Sequence, residues 1–202
     1  MTKLLFQGHG SYRITGDDGR VVFVDPFKGK GYDAEADIIL VTHQHSDHNK
    51  VGKCAKKPGC KIITNEEALA GGKYNSFDVD GILIQAVEAA NRRHDPKKCV
   101  GFVITIDGIK IYASGDTSKI KSMETLSGTG IDYALFPGDG MANMGPDEAA
   151  ECARLVGAKH NSIIHLMPWR GANFYKNAGE KWGAPNKLIL LPGEEYELSN
   201  SI

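Results

Sequence analysis

The sequence predicts one mixed domain of the α/β or α+β kind. Three observations carry that expectation. Short apolar runs of strand character recur almost from end to end, helical stretches are few and fall between them, and the chain has a suitable length and composition. Its 202 residues, 41% hydrophobic and 24% charged, suffice for one sizeable core but not for two. Residues 1–202 are therefore expected to form a single domain.

Leu4-Leu5-Phe6, Tyr12-Arg13-Ile14 and Val21-Val22-Phe23-Val24 read as strands joined by Gly-rich turns, the second being Gly16-Asp17-Asp18-Gly19, which suggests an antiparallel start. The next apolar runs are Ile38-Ile39-Leu40-Val41, Lys61-Ile62-Ile63-Thr64, Ile82-Leu83-Ile84, Phe102-Val103-Ile104-Thr105-Ile106 and Ile109-Lys110-Ile111-Tyr112. Gly108 suits a hairpin turn between the last two. Tyr133-Ala134-Leu135-Phe136, Ser162-Ile163-Ile164 and Leu188-Ile189-Leu190-Leu191 repeat the strand signature. Helices are expected at 50–57, 65–71, 117–126, 146–156 and 174–182. The fourth opens on Pro146, Asp147 and Glu148, where a proline leaves no N–H unpaired and carboxylates meet the positive helix end.

Lys plus Arg number 24 against 25 for Asp plus Glu, so no overall field draws the chain to nucleic acid or to an anionic membrane. The apolar run in MTKLLFQGHG is too short for a signal peptide, and no stretch approaches the roughly 18 apolar residues of a spanning helix. A cytoplasmic protein with neither nucleic-acid nor membrane partners is expected, and a homo-oligomer is compatible with the sequence. Cys54, Cys60, Cys99 and Cys152 match no zinc-ribbon spacing; Cys54 and Cys60 could pair, but in a reducing compartment idle thiols are favoured.

The most informative segment runs from Ile38 to His48. A buried strand delivers the chain to Thr42-His43-Gln44-His45-Ser46-Asp47-His48, where three of the seven histidines stand within six residues. His43 and His45 are two apart and can converge on one cation in a turning loop, whereas Asp47 and His48 can reach a second. Neutral imidazole and carboxylate are ligands zinc accepts at about 2.0–2.2 Å, with a position left open for water in a catalytic site. A solvated polar loop is the alternative.

THQHSDH resembles the H-x-H-x-D-H signature of metallo-β-lactamase fold hydrolases. The likeness continues through Gly8-His9-Gly10-Ser11, Val24-Asp25-Pro26-Phe27, Gly115-Asp116-Thr117 and Leu191-Pro192-Gly193-Glu194, and is nearest to the small single-domain branch that includes L-ascorbate 6-phosphate lactonase. The resemblance implies an α+β fold, the metallo-β-lactamase αβ/βα sandwich: two mixed β-sheets packed together, with helices on the outer faces. It further implies that His43, His45 and His94 bind a first metal, that Asp47, His48 and His165 bind a second, and that Asp116 bridges them. Taken singly, Asp116 also suits an N-cap for a helix from Thr117, His94 an ordinary loop residue and His165 a satisfied core histidine. Ala113 stands where the family often has a histidine, and Ile163 where it has a proline. His9 is expected either to support the site or to shape the Gly8-His9-Gly10 turn, Asp25 to orient a loop, and His160 to lie on the surface.

The implied activity is metal-dependent hydrolysis. Two divalent ions, Zn²⁺ with Mn²⁺ or Fe²⁺ as alternatives, would hold a hydroxide nucleophile between them, and Asp47 would orient it and shuttle its proton. The substrate would be a small molecule, an ester, lactone or phosphodiester. Arg92, Arg93, Lys97 and Lys98 around His94, against Asp95 alone, point to an anionic one. An iron redox enzyme of the same fold, such as a persulfide dioxygenase, and a non-catalytic metal-binding module are the competing readings. No Gly-x-Ser-x-Gly or Gly-x-x-x-x-Gly-Lys motif supports serine hydrolysis or nucleoside-triphosphate chemistry.

Overall fold

The computed structural model describes residues 1–200. The strands are β1 (Lys3–Gly8), β2 (Ser11–Thr15), β3 (Val21–Val24), β4 (Ala36–Val41), β5 (Lys56–Thr64), β6 (Ser76–Val79), β7 (Ile82–Glu88), β8 (Val100–Ile106), β9 (Ile109–Ala113), β10 (Tyr133–Pro137), β11 (His160–Ile164) and β12 (Glu195–Glu197). The helices are α1 (Asn65–Ala68), α2 (Pro146–Val156) and α3 (Ala172–Lys181). They build two six-stranded sheets, ordered β12-β1-β2-β3-β4-β5 and β11-β10-β9-β8-β7-β6. Each sheet is mixed. β12, β1, β2 and β3 pair antiparallel, as do β6 to β9, whereas β3-β4-β5 and β9-β10-β11 are parallel.

Alternation along the strands explains the packing. Val22, Val24, Ile38 and Leu40 face the large core shared with Ile84, Phe102, Ile104, Ile111 and Phe136 of the second sheet. Phe23, Ile39 and Val41, one residue out of phase, face the opposite side and are covered by Tyr32 and Cys54. β3 and β4 are thus buried on both faces, which is why they read as continuous apolar runs. α2 is capped at its C-terminus by Gly157 in the left-handed conformation (φ 68°), and it lays Ala149, Ala150, Cys152, Ala153 and Val156 against the second sheet.

Several elements differ from the sequence expectation. No helix forms at 50–57: a single 3-10 turn, Val51–Lys53, leads directly into β5, whose Pro58 is tolerated because β5 is a sheet edge. The 65–71 helix is shorter, α1 followed by the turn Ala70–Gly72. The 117–126 helix is only the 3-10 segment Lys121–Leu126, because the Thr117 hydroxyl and the Ser118 N–H are bonded to Ala90 O and hold that stretch extended. Asp116 therefore caps no helix. The apolar run 188–191 is not a strand. It hangs beside β11 by Leu188 N–H to Asn161 O and Ser162 Oγ–H to Leu188 O, and it is apolar because Ile189 packs on Gly179 of α3 and Leu190 enters the core. His160 is half-buried rather than on the surface, its ring stacked on Tyr133 at 4.8 Å between centroids. All four cysteines are free thiols, three of them buried. Among the described residues no helix is long and apolar enough to cross a membrane.

Candidate metal centre

The parallel strands end on one rim, and the chemistry begins there. The loop after β4 carries His43, His45, Asp47 and His48; Asp116 follows β9, His165 follows β11 directly, and His94 comes from the connection between β7 and β8. Ligand groups at the carboxyl ends of parallel strands are the usual outcome of this architecture, since the loops there converge above a rigid sheet. The structure brings all seven residues together.

They form two clusters joined by one carboxylate. The side-chain nitrogens of His43, His45 and His94 lie within 4.8 Å of one another, with His94 Nε2 3.1 Å from His45 Nδ1. In the second cluster His48 Nε2 and His165 Nε2 are 3.1 Å apart, and Asp47 Oδ2 is 3.8 and 3.9 Å from them. Asp116 lies between. Its Oδ2 is 4.0 Å from His43 Nε2 and 3.5 Å from His94 Nε2, while its Oδ1 is 3.5 Å from His48 Nε2 and 3.2 Å from His165 Nε2.

Outer hydrogen bonds decide which nitrogen of each ring faces inward. His48 Nδ1 is 2.8 Å from Asp25 Oδ2, His165 Nδ1 2.8 Å from Asp139 Oδ2, His94 Nδ1 2.8 Å from Asn91 Oδ1, and His43 Nδ1 3.0 Å from Thr42 Oγ1. The Thr42 hydroxyl donates to Asp25 Oδ2 and so accepts from His43. Each acceptor demands an Nδ1–H, which leaves the Nε2 lone pair of the neutral ring aimed at the centre. Among the described residues His43 Nε2 is buried without any hydrogen-bond partner, and once both rings are neutral His48 and His165 bring two lone pairs to 3.1 Å. Unpaired nitrogens converging on a carboxylate are unfavourable in a protein interior unless a cation joins them. The donor set therefore fits divalent metal.

Charge distribution agrees. Burial, with the neighbouring His48, pushes the His43 pKa down to about 2, so its ring is neutral as a ligand must be. Burial also lowers His48, but the carboxylates of Asp116 and Asp25 outweigh it and raise the pKa to about 9. Burial raises Asp116, yet His165, His48 and His43 hold it well below the ordinary carboxylate range. Without metal, His48 is thus protonated at neutral pH, and metal uptake must displace that proton. Apparent metal affinity is expected to rise about tenfold per pH unit from pH 7 and to level off above about 9; competition with a chromophoric chelator measures it, and a flat profile would contradict it.

Backbone strain supports the aim of these side chains. His9, Asp25 and His165 are non-glycine residues at φ 58°, 46° and 49°, and all three lie at the site. Gly10 is needed for close approach, since a Cβ there would stand 3.2 Å from His48 Cε1 and 3.3 Å from His165 Cδ2. His9 both supports and shapes: Nε2 contacts Asp47 Oδ2 at 3.1 Å, its ring lies 3.7 Å from that of His165, and its carbonyl accepts the His165 N–H at 2.7 Å. Sequence reasoning misses Asp139, Asn91, Asn143 and Thr42. Asp139 had a signal, a carboxylate two residues past the strand ending at Pro137, the pattern that marks Asp116 and His165. Replacing Asp139 by Ala is expected to weaken metal binding by about 10- to 100-fold with the fold retained, read from metal titration and circular dichroism.

Comparison with known proteins settles the family. Residues 3–161 match the model described as the beta-lactamase superfamily domain. A UPF0173 metal-dependent hydrolase of Thermococcus onnurineus is 34% identical, the alignment covering 98% of this chain and 100% of that protein. The chain belongs to the β-lactamase superfamily and, within it, to the UPF0173 metal-dependent hydrolases. Among solved structures, a Parabacteroides distasonis protein is similar at 27% identity with a TM-score of 0.76, over 96% of this chain and 94% of that one. Igni18, a metallo hydrolase of Ignicoccus hospitalis, shares the fold at 20% identity and a TM-score of 0.75, over 98% and 99% of the two chains. In this UPF0173 member the β-lactamase-type sandwich is thus coupled to a buried His/Asp cluster able to hold metal.

Proposed function

We propose that the protein hydrolyses a small anionic ester, lactone or phosphodiester at a two-metal centre, with His43, His45 and His94 holding one ion, Asp47, His48 and His165 the other, and Asp116 bridging. The observation that carries this reading is Asp116, whose two oxygens face different histidine pairs. A divalent metal pair, when bound, supplies a water of pKa near 7 and an electrophile for the carbonyl or phosphoryl oxygen. Zinc is favoured because five imidazoles and two carboxylates are donors it accepts well.

The residues do the rest. Asp47 is the most accessible of the carboxylates here, its side chain 34% exposed against 7% for Asp116. It can exchange protons with solvent while touching the centre, as an acid-base group must. Burial raises its pKa, but the hydrogen bond from His9 and the nearby His48 outweigh that and hold it well below the ordinary range. His9 fixes its orientation.

A cleft of about 610 Å³ opens on the first cluster, bordered by His43, His45 and His94 and by Arg93, Lys97 and Lys98. Glu66 and Asp95 share that border, so its positive excess is smaller than the sequence suggests. Arg92 is turned away, its guanidinium donating to Met141 O and tying the His94 loop to the loop after β10. The test is a panel of lactones, thioesters, carboxylate esters and phosphodiesters with the metal-reconstituted protein. Turnover abolished by chelation and restored by Zn²⁺ or Mn²⁺ is expected; no turnover of any class by metal-loaded protein would overturn the reading.

A further inference from the structure

A second pocket, of about 400 Å³, lies on the opposite flank of the centre. His9 stands in its wall, with Lys28, Lys30 and Arg170 around it and Tyr175 of α3 beside them. No aspartate or glutamate lines it, in contrast to the first cleft. The three cations are exposed, and among the described residues none has a carboxylate partner; Arg170 only lies over the Phe174 ring, 5.3 Å from its centroid. The loop that carries the lysines is fixed from within. Tyr32 Oη–H donates to Lys28 O, Gln7 Nε2–H donates to Lys30 O, and Gly29 (φ 86°) lies so close to β1 that a Cβ would stand 2.1 Å from Gln7 O. Unpaired cations on an anchored loop keep their field, and a concave wall focuses it.

His9 supplies the independent observation. It is 4% exposed, and its Nδ1 is buried with no hydrogen-bond partner among the described residues. Because Nε2 faces the Asp47 carboxylate at 3.1 Å, Nε2 carries the hydrogen and Nδ1 presents a lone pair. A buried acceptor left unmade costs about 1–3 kcal/mol, and His9 is the residue that this pocket shares with the metal centre.

We propose that this basic pocket docks the anionic group, phosphate or carboxylate, of the substrate, with Lys28, Lys30 and Arg170 binding the charge and His9 joining the pocket wall to Asp47 and His165. The proposal rests on the hydrolytic reading for its link to turnover, but not for binding. It moves the charge-selective flank from the His94 loop to the side of Asp47 and His165, because His9 contacts both.

The test compares metal-loaded parent protein with K28Q/K30Q, R170Q and, as a remote control with the charge change of the lysine pair, K73Q/K121Q. Hydrolysis of 4-nitrophenyl acetate and its carboxylated analogue, 4-nitrophenyl hydrogen succinate, gives the anionic-over-neutral ratio of kcat/KM. Calorimetric titration with succinate and with inorganic phosphate gives binding alone and separates carboxylate from phosphate preference. Removing charge-assisted contacts is expected to lower the ratio, and to weaken binding of at least one anion, by about tenfold or more in K28Q/K30Q and R170Q, against about twofold or less in the control. Parent-like ratios and affinities in both pocket variants, or an equal change in the control, would overturn the proposal. If the metal-loaded parent hydrolyses neither ester, the ester-hydrolysis reading fails, and the titrations still decide the pocket by the same criterion.

Discussion

Asp116→Asn is expected to lower the metal content to one ion or fewer per chain and the hydrolytic rate by at least about 10²- to 10³-fold. The size follows from what the carboxylate does. Its Oδ2 faces the cluster of His43 and His94 and its Oδ1 that of His48 and His165, so the substitution puts an amide NH2 in place of the oxygen on one side and removes the buried negative charge that both sides share. Metal-assisted stabilisation of developing charge amounts to several kcal/mol, and about 1.4 kcal/mol is tenfold in rate. Asn is nearly isosteric and can still accept through its one remaining oxygen, so the fold should persist. Elemental analysis and kinetics on the same sample are the check. Two ions and a parent-like rate would show that Asp116 bridges nothing.

Asp47→Ala is expected to reduce kcat by at least about 10²-fold, the scale of a lost acid-base contribution. Asp47 touches His9 Nε2 at 3.1 Å and approaches His48 and His165 at 3.8 and 3.9 Å, so on the proposed mechanism the variant would remove both a proton carrier and a ligand. The two roles separate in Asp47→Asn, which keeps an oxygen for metal and for His9 but cannot carry a proton. With metal content restored at excess Zn²⁺, Asn should still show the loss in kcat. Near-normal turnover in that fully loaded variant would assign Asp47 to ligation alone.

The parts of this site that the sequence discloses are those compressed into one loop or set at strand ends. His43, His45, Asp47 and His48 stand within six residues, and Asp116 and His165 follow apolar runs that are strands. His94 emerges only through family resemblance, because its loop has no periodicity of its own. The partners that orient the ligands are harder to read for a physical reason: Asp25 is expected to orient a loop, but its bond to His48 spans 23 positions and that of Asp139 to His165 spans 26, so tertiary packing pairs them, whereas Asn91 bonds His94 only three positions away in a loop without periodicity. Among the fold elements, the 188–191 run misleads because burial beneath α3 produces the same apolar string as a pleated strand. β6 carried an unused signal, the Asp80-Gly81 turn with φ 51° and 84°, a hairpin pair of the kind recognised at Gly108. β12 is three residues on a sheet edge, below what patterning can resolve.

The most direct measurement is the metal stoichiometry of the purified chain after chelation, dialysis and reloading with Zn²⁺ or Mn²⁺, read by elemental analysis beside a thermal melt of the same sample. Close to two ions per chain are expected, with a melting temperature that rises on reloading, because a ligand bound to the folded state alone stabilises it. A folded chain that takes up no divalent metal under those conditions would contradict the two-metal site outright.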